Sequence, residues 1–301
     1  MSLLILRPQP ITDAILTASD VPETDAPEWA VGTTYALGDI VKLASTHSLY
    51  ESGDPANLGK RPDLYPSLWT RIRATNRWRA FDGSGSSRTA QASSISYTFL
   101  PGVSVPMLAA LGLQDCASIR VWLDDPVYGV VYDRTINPSA TPVMADWWEW
   151  FFGDWKGGTS VALFEDVPSF PSATLHVDLV GTASLAVAQI LFGSPRSWGS
   201  GIRYGARVGR QIYSRREVND FGDIELVKRP SAKRASFELI LLASEVDAIQ
   251  DFMDAIDADV CLFIGCALYQ STVIFGIFQS FEVLIDNFTE STAQIEILGV
   301  T

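Results

Sequence analysis

Residues 94–136 read SISYTFLPGVSVPMLAALGLQDCASIRVWLDDPVYGVVYDRTI. Three runs within it, SISYTFL, SIRVWLDD and GVVYDRTI, are short, rich in β-branched and aromatic residues, and bounded by Gly, Pro or Asp. That is the pattern of strands joined by turns. The same texture continues in SVALFED (160–166), ATLHVDLVG (173–181) and AVAQILFG (186–193). So many short strands with turn signals predict that residues 73–197 form a β-sandwich of jelly-roll type.

Working outward, the pattern changes beyond residue 197. SFELILLA, VCLFIGCALY, STVIFGIFQSFEVLI and TAQIEILGV are further strand candidates, with a helix between the first two. Ser244 stands three residues before Asp247, a variant of the capping box. Val246, Ile249, Phe252, Met253 and Ile256 then recur at helical spacing and give one apolar face. Residues 198–301 are therefore expected to be an α+β domain with one amphipathic helix. On the other side, residues 27–72 form a compact unit with strand candidates GDIVKLA and HSLYES and a loop GDPANLGKRPDLYP. About 45 residues bury little surface, so each aromatic there counts. Residues 1–26 hold one short strand candidate, Leu3 to Leu6, and then a Pro- and Asp-rich stretch, expected to be an arm or linker. Such an arm could augment a neighbour's sheet. The whole is a mainly β, multidomain chain.

Composition limits the function. Of 301 residues 47% are apolar and 19% charged, enough to build real cores. The net charge of −13 argues against nucleic acid, since phosphate contacts need a basic face. Charge is unevenly placed. Residues 196–234 carry ten Lys/Arg against four Asp/Glu; residues 235–301 carry no Lys or Arg and eleven Asp/Glu. The pattern suits contact between copies, with Arg203, Arg207, Arg210, Arg215 and Arg216 as candidate interface residues. It also suits two solvated faces of one domain. Three cysteines and two histidines support neither a disulfide framework nor a tetrahedral zinc site, so no metal or cofactor is expected. MSLLILRPQP is too short and insufficiently basic for a signal peptide, and no run approaches the roughly 18 apolar residues of a membrane span. The expectation is synthesis in a cytoplasm without a signal peptide.

DWWEWFFGDW, residues 146–155, has six aromatics in ten. Trp147 and Trp148 are candidates for an interface. A plug over the open end of the sandwich and a ligand contact are the other readings.

Within residues 27–72, Trp29, Tyr35, Gly38, Asp39, Val41, Tyr50, Pro66 and Trp69 follow in the order shared by chitin- and cellulose-binding modules of carbohydrate-binding families five and twelve. The unit resembles those modules over about 45 of 301 residues. The resemblance implies a sugar platform, for which Trp29, Tyr50, Tyr65 and Trp69 are candidates. The physical alternative is that the large aromatics constitute the core of a small domain. The chain departs from the family at Thr46–Tyr50, where Gly-x-x-Tyr is usual.

NRWRAFDGSGSSRT, SISYTFLPG, ASIRVWL and the closing SATLHVDLVGTASLAVAQILFG resemble galactose-binding-like jelly rolls of phage tail proteins. RYGARVGRQIYSRREVNDFGDIELVKRPSAKRASFEL is similar to phage tail proteins as well. The resemblance implies a structural subunit of the tail tip or baseplate of a long-tailed bacteriophage, located in the virion. Its partners would be its own copies, in a ring or trimer, other tail proteins, and cell-surface polysaccharide. The alternative is a stand-alone, lectin-like carbohydrate-binding protein.

No enzyme is expected. Asp254, Asp257 and Asp259 match the aspartate spacing of a chitinase signature, but its acid position is Cys261, which cannot replace a tuned carboxyl. Gly-x-Ser-x-Gly, the P-loop and His-Glu-x-x-His are all absent from the sequence.

Overall fold

The structure, a computed structural model, describes residues 2–138, 159–218, 224–266 and 269–300. It is mainly β, 51% strand and 9% helical, with several antiparallel sheets and one short α-helix. β1 (Leu3–Leu6) and β2 (Leu16–Ser19) come first. Then β3 (Thr34–Tyr35), β4 (Ile40–Leu43), β5 (Ser48–Ser52), β6 (Asn57–Leu58) and β7 (Trp69–Ala74) make two small sheets, β4-β5-β7 and β3-β6. A 3-10 turn over Asn76–Phe81 leads to β8 (Thr89–Ala90), β9 (Ser94–Phe99), β10 (Met107–Leu111), β11 (Gln114–Asp125) and β12 (Gly129–Ile136). β13 (Val161–Phe164), β14 (Thr174–Val187), β15 (Gln189–Gly193) and β16 (Pro195–Trp198) follow.

These strands build a six-stranded sheet, in the order β12-β11-β14-β9-β2 with β8 also on β14, and a three-stranded sheet, β13-β10-β15. The last third contains β17 (Gly201–Ile202), β18 (Arg207–Ile212), β19 (Arg215–Val218), β20 (Ile224–Val227), β21 (Ser231–Leu242), α1 (Val246–Ala255), β22 (Cys261–Ile264), β23 (Val273–Leu284) and β24 (Glu290–Gly299). Its eight-stranded sheet runs β16-β1-β22-β23-β24-β21, with β17 and β18 both on the far edge of β21.

Side-chain alternation explains how the sheets stack. Ile95, Tyr97 and Phe99 of β9 and Ile119, Val121 and Leu123 of β11 enter one core with Leu108 and Ala110 of β10 and Ile190 and Phe192 of β15. The six- and three-stranded sheets therefore face each other. The opposite residues of the narrow sheet, Met107, Ala109, Leu111 and Leu191, pack on Leu6, Leu262, Ile264 and Val273 of the eight-stranded sheet. On that sheet's other face, Leu3, Ile5, Phe263 and Phe237 meet Ile249 and Met253 of α1. MLAAL, CLFI and the ILFG of QILFG are thus buried on both faces, and so they are apolar without interruption. Each such large side chain contributes about 1.5–3 kcal/mol.

Two expectations need correction. Residues 1–26 are not a free arm. β1 is paired on both edges, with β16 and β22, so it has no edge to offer a neighbour's sheet. β2 pairs with β9 in the six-stranded sheet. Glu23 and Asp25 then bind the small unit and the turn after it, through His47, Thr75, Arg79 and the Asn76 N–H. The helix start also differs. A 3-10 turn over Ala243–Glu245 precedes α1, and the Glu245 carboxylate accepts the Leu242 N–H at 3.0 Å. The Ser244–Asp247 cap does not form, because the turn shifts the first free N–H back to Leu242. Of the expected apolar face, Ile249 and Met253 of α1 and Ile256 just after it are buried, Phe252 packs at the margin, and Val246 is only half-buried.

Candidate functional surfaces

The small unit is organised around Tyr35, Val41, Leu43, Tyr50 and Trp69, with Trp29 and Leu68 at its edge. The turn ALGD closes by Asp39 N–H to Ala36 C=O, and the Asp39 carboxylate accepts the Ala36 N–H at 2.7 Å. Gly38 has φ +86°, which a β-carbon would oppose. This turn launches β4, so Gly38 and Asp39 shape the fold.

Of the four aromatics expected on a sugar platform, two are core. Trp69 is 2% exposed, stands edge-on to Tyr35 at 5.4 Å, and donates its indole N–H to the Lys60 carbonyl at 2.8 Å. Tyr50 is 7% exposed and its hydroxyl lies 3.1 Å from Thr46 Oγ1. Neither offers a ring face to a pyranose, because a unit this small needs its largest rings inside. Trp29 is half-buried. Tyr65 is 39% exposed, with the Lys60 ammonium 4.8 Å above its ring. Trp29 and Tyr65 therefore remain the accessible part of the expected platform.

The basic stretch is mostly strand and exposed. β18 pairs with β21 from Arg207↔Ser236 to Ile212↔Ser231, and β19 pairs with β20 from Arg215↔Val227 to Val218↔Ile224. The β19–β20 pairing continues the β18–β21 pairing as a ribbon, interrupted at residues 213–214 and 228–230. Among the described residues the outer edge of β18 has no partner strand. Every described side chain of β18 is exposed, including Ile212 at 68%, and Leu226 on β20 is 73% exposed.

Arg207 and Arg210 line a groove of about 550 Å3 with Arg234, Glu238, Gln294 and Glu296. Arg234 pairs with Glu296 at 2.8 Å and Arg203 with Glu238 at 2.6 Å, which holds the Arg203 guanidinium above its ordinary value. Arg210 reaches Ser231 at 3.3 Å. Nearby, burial and the Arg210 charge push the Lys233 ammonium down while it donates to the carbonyls of Gln270 and Val273. Arg215 is paired with Glu217 on its own strand, and Arg216 falls on β19 as well. Arg203, Arg207 and Arg210 thus gather at one sheet edge, whereas Arg215 lies further out on the ribbon. Trp147 and Trp148 lie outside the described residues.

Four further arginines, Arg71, Arg73, Arg79 and Arg88, share a cleft of about 610 Å3. Their sequence signal is five Arg and one Asp within residues 71–88, hidden by a net charge of −13.

Among the described residues there is no helix long and apolar enough to cross a membrane. Comparison with protein-family models, curated proteins and solved structures finds no match to this chain.

Proposed function

We propose that this chain is a structural subunit of the tail tip or baseplate of a long-tailed phage, assembling with its own copies in a ring or trimer and with other tail proteins. In this proposal it has three units. These are a small carbohydrate-module-like domain, a jelly-roll-type sandwich of the six- and three-stranded sheets, and an α+β assembly domain.

One observation carries the assembly role. Among the described residues the β18 edge has no partner strand, and β18 and the ribbon beyond it expose Ile212, Tyr213, Leu226 and Val227. A long strand edge with apolar side chains is a template for pairing with another chain. The mixed-charge groove beside it favours one register of approach over others. A stand-alone lectin is the weaker reading, since burial of Tyr50 and Trp69 leaves only Trp29, half-buried, and Tyr65 of the four expected platform rings.

The test is a variant in which residues 213–229 are replaced by a two-residue turn. Sedimentation velocity should show the parent as a closed oligomer and the variant as a monomer. A parent that stays monomeric at high concentration, or a variant that assembles as the parent does, refutes this role for the ribbon.

A further inference from the structure

We propose that the cleft between β7 and the 82–88 loop is a binding site for a phosphoryl oxyanion. The inference does not rest on the tail-tip reading; a phosphate-bearing surface polymer as ligand would extend it.

The cleft is built from two rigid sides. On one, Arg71 and Arg73 stand two residues apart on β7, which is paired to β5. On the other, FDGSGSSR forms a loop pinned from beneath by Gln189, a side chain that is itself buried. The Gln189 carboxamide donates to the Arg79 and Ser84 carbonyls and to Asp82, and its oxygen accepts the Gly83 N–H. The Asp82 carboxylate also accepts the Ser84 N–H at 2.8 Å. A buried amide spent on holding a surface loop gives that loop one shape, as a preformed site needs.

The charge in the cleft is not balanced from within. Four arginines line it against one acidic residue, Asp82. Asp25, outside the lining, pairs with Arg79 at 2.7 Å. Two positive charges are left over. Arg71 is held by the Ser48 hydroxyl and Arg88 by the Gln114 carbonyl, both neutral, and the Arg73 guanidinium has no hydrogen-bond or ion-pair partner among the described residues. Burial and the nearby Arg73 charge lower the Arg79 pKa, a sign of crowded like charges.

The remaining groups suit a multi-oxygen anion. Ser86 and Ser87 line the cleft, and the buried Ser87 hydroxyl has no hydrogen-bond partner among the described residues. A phosphoryl group carries up to two negative charges and three acceptor oxygens. Guanidiniums meet such oxygens in paired, charge-assisted bonds. A neutral sugar would leave the excess charge uncompensated.

The test uses the whole chain and three probes in titration calorimetry: inorganic phosphate, a poly(glycerol phosphate) chain, and neutral dextran. A phosphate-bearing probe should bind, dextran should not, and added salt should weaken binding. Arg73→Ser and Arg88→Gln should each weaken it at least fivefold with an unchanged melting temperature, and Arg203→Ser should leave it as in the parent. Binding of inorganic phosphate in competition with the polymer assigns the site to the free anion as well; binding of the polymer alone assigns it to a polymeric phosphodiester. Failure of both phosphate probes, or full binding by the Arg73 and Arg88 variants, overturns the proposal. So does a change in the oligomeric state of those variants with no probe bound, since the cleft would then be a contact between copies.

Discussion

Tyr50, Tyr65 and Trp69 show how far side-chain burial departs from residue type. All three are aromatic and lie within 20 residues, yet two are core and Tyr65 is at the surface. Trp69→Ala should cost about 3–5 kcal/mol, the range for emptying a large buried ring. Tyr65→Ala should cost less than about 1 kcal/mol. Chemical denaturation checks both, and equal costs would contradict the assigned burial. Residue type and spacing carry a resemblance to a carbohydrate-binding module; they do not say which rings face in, because core rings and platform rings are drawn from the same residues.

His176 gives a second test at this scale. Its imidazole stacks on Trp122 at 3.7 Å between centroids and lies 3.2 Å from Thr98 Oγ1. Burial lowers its pKa from the ordinary 6.5, against the opposing pull of Asp178 and Asp124. The unfolded chain therefore binds the proton more tightly. Stability from this group is full above pH 6.5 and is lost as pH falls through the lowered value. Below pH 6.5 the slope of melting temperature against pH should flatten in His176→Phe, which keeps a ring on Trp122. An unchanged slope would assign the effect to other groups.

Among the elements, the strands with alternating or β-branched patterns are the legible ones. SISYTFL, SIRVWLDD, GVVYDRTI and the long C-terminal runs all coincide with β9, β11, β12, β21, β23 and β24. MLAAL was not legible, because Met, Leu and Ala favour helix. It is strand β10 because β13 and β15 flank it and cores press on both faces. The ribbon hides for the opposite reason. The described side chains of β18 to β20 are almost all exposed, so no apolar periodicity marks them. The same lack of burial predicts that replacing residues 213–229 leaves the melting temperature within a few degrees of the parent while assembly is lost. A large drop in melting temperature would mean that the ribbon supports its own chain.

Across the whole molecule, residues 2–26 bind the parts together. β1 sits inside the eight-stranded sheet, β2 joins the six-stranded one, and Glu23 and Asp25 hold the small unit. The strand at Leu3–Leu6 is visible in the sequence; its partners, nearly 200 and 260 residues away, are not, since pairing across such separations depends on the assembled sheet. A core stacked sheet on sheet, with a bound N-terminal segment and, among the described residues, an exposed strand edge at β18, offers both a fixed body and a place to pair. That is what a repeating subunit requires, and it is the physical basis of the tail-tip proposal. The most direct test is electron microscopy of tailed particles induced from a strain that carries the coding sequence, with gold label directed at this chain. Label is expected at the end of the tail distal to the head. Label on the head, or label only on protein free of particles, would contradict it.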